Sequence, residues 1–171
     1  VLVFVPWPTA LFADASYVQL VHAALADGAS ACLVDVQTSG REARGERWDI
    51  AKLDVTLELA TPKRRVLRDR LILDAGVSPV RPRLGEHRAL GAVILVGPLF
   101  RELATHLKAA IDAKPVNPRA PFFVTASPML DGCFLRLAAD DPERLEHFLA
   151  DALARPLAAL TGADPWRQRT A

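Results

Sequence analysis

The sequence predicts a mainly β protein with two α-helices. Extended apolar runs and strict alternation fill the first half of the chain, whereas a helical period first appears after residue 97. Doubly wound nucleotide-binding folds alternate strands and helices from the start, and this chain does not. At 171 residues, the chain is expected to form one domain spanning residues 1–171.

Three extended runs open the chain. Val1–Val5 is apolar, and two longer runs follow at Ser16–Leu25 and Ser30–Gln37. The dipeptide Asp27-Gly28 separates these longer runs, and Asp-Gly suits a tight turn that needs positive φ angles. The sequence therefore predicts a β-hairpin that pairs the two runs.

The next two runs predict an antiparallel pair. Apolar and polar residues alternate along Lys52–Ala60, which is typical of a strand with one buried face and one solvated face. Val66–Asp74 is its predicted partner. We therefore expect a sheet that is rich in antiparallel strands.

The second half of the chain combines both types of element. Ala75–Arg88 is rich in proline and glycine and is predicted to be a loop, followed by a short strand at Ala92–Val96. A helical period then begins after Pro98 and extends to Ile111, with leucines on one face.

Two further strands and a last helix complete the predicted order. The strands are Phe122–Ala126 and Gly132–Ala138. Asp140 or Asp141 can cap the last helix, and Pro142 suits its first turn. Pro156 is expected to kink or end that helix.

The composition excludes several classes of function. Lys and Arg total 21 against 20 Asp and Glu, and this net charge of +1 argues against a nucleic-acid-binding protein that relies on bulk positive charge. No apolar run approaches the roughly 20 residues of a membrane span. Cys32 and Cys133 are too few for a disulfide scaffold or a closed zinc site. Both are predicted to pack as small apolar residues in a reducing cytoplasm.

His22 and Asp35 are candidate metal ligands. In the predicted hairpin they become diagonal neighbours on one face of the sheet. A histidine and a carboxylate together suit a borderline divalent ion such as nickel or zinc. The alternative is a plain hydrogen bond between the two side chains.

The polar segment from Gly40 to Trp48 is a candidate binding loop. Gly40 and Gly45 bound a charged stretch that contains Arg41 and Glu46, and glycine permits positive φ angles. Binding residues are often carried by such loops on a rigid sheet. The alternative is a solvated connection with incidental ion pairs.

Several short motifs, taken in order, resemble the urease accessory protein UreD (UreH) family. The matching segments are Phe4-Val5-Pro6-Trp7-Pro8-Thr9, Gly28-Ala29 with Asp35, Gly40-Arg41-x-x-x-Gly45-Glu46, Arg68-Asp69-Arg70-Leu71, Gly91–Pro98 and Trp166-Arg167. Asp35 stands where the family usually has Glu. The family has roughly a hundred further residues before these motifs. We therefore expect an N-terminally incomplete chain that corresponds to the C-terminal portion of the family's length.

The resemblance implies a β-helix-like fold with two helices and a role that is not enzymatic. Members of the family bind the urease apoprotein and a UreF-type partner, and the complex recruits a UreG-type GTPase that brings nickel. The expected cofactor is therefore nickel in transit, with none permanently bound. Asp35, Glu46 and His22 are the candidate transient ligands, and Gly40, Arg41, Gly45 and Glu46 the candidate binding motif.

Two other functions remain open at this stage. A hydrolase could use Asp35, Glu46 and His22 as acid–base groups, which would require a pocket around them. A plain β-sandwich binding module would need no such groups. No nucleophile motif is present in the sequence, which favours the scaffold.

Overall fold

Two β-sheets pack face to face in the computed structural model, which describes residues 1–117 and 119–168. Helices cover the other face of the larger sheet, so this sheet lies in the middle of three layers. The predicted mainly β class with additional helices is confirmed. The strands are β1 (Leu2–Phe4), β2 (Thr9–Leu11), β3 (Ser16–Ala24), β4 (Ala31–Ser39), β5 (Lys52–Ala60), β6 (Arg65–Asp74), β7 (Ala89–Val96), β8 (Phe122–Met129) and β9 (Gly132–Ala139).

The first strands wind between the two sheets. The larger sheet has the order β1-β4-β7-β9-β8, with β2 also pairing with β4, and the smaller sheet has the order β3-β5-β6. Strands β2 and β4 pair in parallel in the larger sheet, while β3 and β5 pair in parallel in the smaller sheet. Strand β4 therefore joins the sheet that contains β2, and β5 joins the sheet that contains β3, as successive coils of a β-helix do.

The predicted hairpin through Asp27-Gly28 is wrong. Gly28 does occupy a turn with φ of +75°, but this turn carries the chain from β3 in one sheet to β4 in the other. Strand β4 is buried along its whole length and needs both faces covered, whereas β3 has one solvated face and lies at a sheet edge. The turn signal is local and does not determine which sheet receives the next strand.

The other strand predictions agree with the structure more closely. Strands β5 and β6 pair antiparallel, as the alternation in Lys52–Ala60 predicted, and β7, β8 and β9 also pair antiparallel. The segment Ala75–Arg88 is not entirely loop, because it contains the short helix α1 (Val80–Leu84). Val80 is buried and anchors that helix to the core between the sheets.

The longer helices lie on the larger sheet. Helix α2 (Arg101–Asp112) follows a 3-10 turn, and α3 (Pro142–Leu149) begins after Asp141, whose carboxylate accepts a hydrogen bond from the Glu143 N–H. A π-helical turn at residues 150–154 connects α3 to α4 (Arg155–Thr161), and α5 (Pro165–Gln168) follows. The interruption predicted at Pro156 therefore takes the form of a π turn just before it. None of the helices in the described residues has the length and apolar character of a membrane span.

Both cysteines lie in the core beneath the helices. Cys32 and Cys133 are fully buried, and each is in register with Leu95 of the strand between them. Burial raises the pKa of Cys32 to about 12 and that of Cys133 to about 11, so both thiols stay protonated at neutral pH. Their predicted packing role is confirmed, although Cys32 does not pair with β3 as the hairpin required.

The edge strand β3 predicts self-association. Val18 and Leu20 are 70% and 67% exposed on its outer face, and exposed apolar edge strands template pairing between molecules. We expect the chain to form oligomers at high concentration and Val18→Lys to reduce them, measured by sedimentation velocity. The control is Val77→Lys, because Val77 is 83% exposed in a loop. A monodisperse wild-type monomer would contradict this prediction.

Candidate functional site

The candidate metal ligands lie in three different places. His22 is exposed on the outer face of β3, in register with Glu58. Asp35 lies on the buried strand β4, and Glu46 lies in the loop that follows it. The predicted pairing of His22 with Asp35 is wrong, because the two strands belong to different sheets. In the described part of the chain, no group of three or more His, Cys, Asp or Glu residues could hold a metal ion.

The Asp35 carboxylate is buried between the sheets and held by amides. The side chain of Gln37, two residues along β4, donates to Asp35 Oδ2 at 2.6 Å. Gln19 reaches across from β3 and donates to Asp35 Oδ1 at 2.9 Å, and the Tyr17 hydroxyl donates to the side-chain oxygen Oε1 of Gln19 at 2.7 Å. A buried carboxylate must be hydrogen-bonded, and these neutral donors achieve that without supplying a positive charge.

A cavity of about 90 Å³ adjoins this carboxylate between the two sheets. Asp35 is in register with Ala92 of β7, and Ala92 with Arg136 of β9, so the three residues share one row and one face. The small Ala92 side chain leaves space in the middle of the row. Ala92 is only half-buried although it lies in a central strand, which indicates that solvent reaches the cavity.

An ion pair between the sheets lies at the far end of this row. Asp69 of β6 is in register with the core residue Leu57 and therefore faces inward. Its carboxylate pairs with the Arg136 guanidinium, which also lies 5.4 Å from the centre of the Phe134 ring. Arg136 is 53% exposed and Asp69 is 12% exposed, so the pair lies where the cavity meets solvent.

The candidate binding loop approaches strand β2 closely at its first residue. Gly40 donates its N–H to the Leu11 carbonyl at 2.7 Å, and a Cβ added at Gly40 would lie 2.4 Å from that carbonyl oxygen. Gly45 has a φ of +83° and open space around it. Positive φ was expected at both glycines and is found at Gly45, whereas Gly40 is required by contact with the neighbouring strand.

Glu46 fastens the loop to the turn before β3. Its carboxylate accepts the Ala13 N–H at 2.9 Å and two hydrogen-bonding contacts from Arg41, at 2.7 and 3.2 Å. The Ala13 N–H is the main cause of a lowered pKa of the Glu46 carboxyl, and Arg41 adds to it. The Arg41 guanidinium also lies 4.9 Å from the centre of the Phe12 ring. Arg41 and Glu46 therefore form a structural latch.

Sequence reasoning missed the anchors at the other end of this loop. Trp48 is buried, and its indole N–H donates to the His87 carbonyl at 2.7 Å. Arg47 pairs with Glu86 at 3.0 Å. His87 is half-buried, with its ring nitrogens 3.2 and 3.1 Å from the carbonyls of Leu84 and Ala120. The sequence signal that could have indicated this anchor is Trp48, a large apolar residue at the end of the charged run 41–47.

These features define a mainly β protein in which a loop is held at both ends and a polar cavity lies between the two sheets.

The UreD urease accessory protein family matches residues 1–171. The chain is 37% identical to the urease accessory protein UreD of Sorangium cellulosum over 98% of its residues and 53% of that protein. It is 36% identical to the Anaeromyxobacter protein of the same name over 96% of its residues and 56% of that protein. The urease accessory protein D of Arabidopsis thaliana is 26% identical, with 96% and 65% covered.

The chain belongs to the UreD family of urease accessory proteins. The resemblance predicted from the ordered motifs is therefore confirmed. The chain spans about half the length of the two bacterial relatives described above.

The two loop glycines predict different costs on substitution. Gly45→Ala should cost about 1 kcal/mol, because only its left-handed backbone is unfavourable for alanine. Gly40→Ala should cost about 3 kcal/mol, because its Cβ would force β2 away from the loop. Urea unfolding of the two variants and the wild type measures the difference. An equal loss of folding stability in both variants would show that β2 can move away from residue 40 without the expected cost.

The Glu46 latch predicts a pH dependence of stability. Because the folded-state pKa lies below the ordinary value of 4.5, the ionised carboxylate stabilises the fold above that pH. This stabilisation is lost as the pH falls through the lowered pKa. The difference in Tm between the wild type and Glu46→Gln should therefore be largest above the ordinary pKa of 4.5 and shrink as the pH falls below it. A constant difference would show that the carboxylate charge does not matter.

Proposed function

We propose that this protein is a scaffold of the urease maturation complex and passes nickel toward the urease active site. In this role it binds the urease apoprotein together with UreF-type and UreG-type partners in the cytoplasm. The role is accessory rather than catalytic. Membership of a family named for urease accessory proteins supports the assignment to urease maturation.

The observation that carries the nickel step is the Asp35 carboxylate beside the cavity between the sheets. Its hydrogen-bond donors, Gln19 and Gln37, are neutral, so the carboxylate charge remains available to a cation. A transit site must hold the ion and then release it, and one carboxylate with amide oxygens and water binds a borderline cation weakly. The cysteine thiols Cys32 and Cys133 are protonated and buried, which disfavours them as ligands.

The other two candidate ligands have different surroundings. The Glu46 charge is already compensated by Arg41, and His22 lies on the outer face of β3. That Glu46 and His22 act as transient nickel ligands remains a prediction. Glu46→Gln and His22→Ala in the assay described next test each of them.

Asp35→Asn should lower urease activation about tenfold or more, because the variant keeps the side chain's size but removes its charge. The experiment reconstitutes urease apoprotein with the accessory partners, this protein and nickel, and measures urease activity and bound nickel. Assembly of the complex, followed by size-exclusion chromatography, should be unchanged.

Asp35→Glu is the matched control, since it restores the carboxylate at the same position, and it should retain most of the activation. Normal activation by Asp35→Asn would overturn the nickel step. Loss of assembly in both variants would show that Asp35 is needed for the fold instead.

A further inference from the structure

We propose that Arg136 gates the cavity that leads to Asp35, by holding the Asp69 carboxylate until a divalent cation takes its place. This inference rests on the proposed function, because it concerns how the ion enters the same cavity. It assigns Arg136 as a positioning residue and Asp69 as the first carboxylate that an entering ion meets.

The placement of the two residues carries the inference. Arg136 and Asp35 lie on the same face of the larger sheet with one strand between them, so their Cα atoms are about 10 Å apart. Both line the cavity, and the half-buried Ala92 lies between them. Asp69 lines the cavity from the opposite sheet. Asp69 and Asp35 therefore line the same cavity from opposite sheets.

The charges at this entrance act in opposite directions on a cation. The Arg136 guanidinium repels an incoming divalent ion and also occupies the Asp69 carboxylate. The Asp69 carboxylate attracts the same ion once Arg136 moves aside. Arg136 can move, because its side chain is 53% exposed.

An ordinary structural ion pair would behave differently from a gate. Removing either partner of a structural pair weakens the fold in the same direction. Removing either partner of a gate changes ion entry in opposite directions, since one partner repels the ion and the other attracts it. The sign of the two effects therefore separates the two roles.

The test measures urease activation against nickel concentration in the reconstituted complex. Arg136→Gln should lower the nickel concentration for half-maximal activation about fivefold, because a repelling charge is removed. Asp69→Asn should raise it by a similar factor, because Arg136 is then left uncompensated at the entrance. Ala92→Leu, which fills the middle of the cavity without changing charge, should lower the maximal activation.

Arg101 and Asp131 supply the control pair, since Arg101 is 58% exposed and the two groups lie 2.9 Å apart outside this cavity. Arg101→Gln and Asp131→Asn should leave the nickel dependence unchanged. Shifts in the same direction for Arg136→Gln and Asp69→Asn, or no shift, would overturn the gate. If Asp35→Asn still abolishes activation in that case, the proposed function stands without the gate; if Asp35→Asn has no effect, the nickel step itself fails.

Discussion

The architecture depends on burying both faces of β4. All nine residues of Ala31–Ser39 are buried, so one face needs the helices and the other needs the smaller sheet. Strand β4 pairs with β1, β2 and β7 in the larger sheet, whereas β3 lies at the edge of the smaller sheet. The chain meets this requirement by crossing from one sheet to the other before and after β4, which gives the parallel pairs β2–β4 and β3–β5. The position of Asp35 inside the protein follows directly from this arrangement.

Burial of β4 also brings polar groups into the space between the sheets. Asp35 and Gln37 face the smaller sheet from β4, where an apolar residue would bury more favourably. Gln19 from β3 completes the hydrogen bonding of Asp35, and this contact joins the two sheets. Arg136 and Asp69 join the sheets again at the far side of the cavity. Polar contacts between the two sheets therefore occur at both ends of the row.

The local parts of this structure could be predicted from the sequence, and the non-local parts could not. The alternation along Lys52–Ala60 identified a strand and its apolar face, and Asp141 was one of two caps predicted for the last helix. The predicted solvated face of that strand is wrong at Asp54 and Thr56, which are buried because the strand lies between two others. The choice of partner strand for His22 depends on how distant segments share the core, which a turn signal at residues 27–28 does not contain. The row that links Asp35 to Arg136 depends on register across three strands, so neither residue's surroundings were visible in advance.

The acidic residues Glu46, Asp54 and Asp35 differ in the groups that hydrogen-bond their carboxylates. Glu46 and Asp54 are each paired with an arginine, and the pKa of each carboxyl is lowered, by the Ala13 N–H chiefly for Glu46 and by Arg70 for Asp54. An ion that approached either one would have to displace a guanidinium from a good hydrogen-bonding geometry. Asp35 is instead held by the neutral side-chain amides of Gln19 and Gln37, and the side-chain oxygen of Gln19 accepts the Tyr17 hydroxyl. Of these three carboxylates, Asp35 is therefore the one that neutral donors hold.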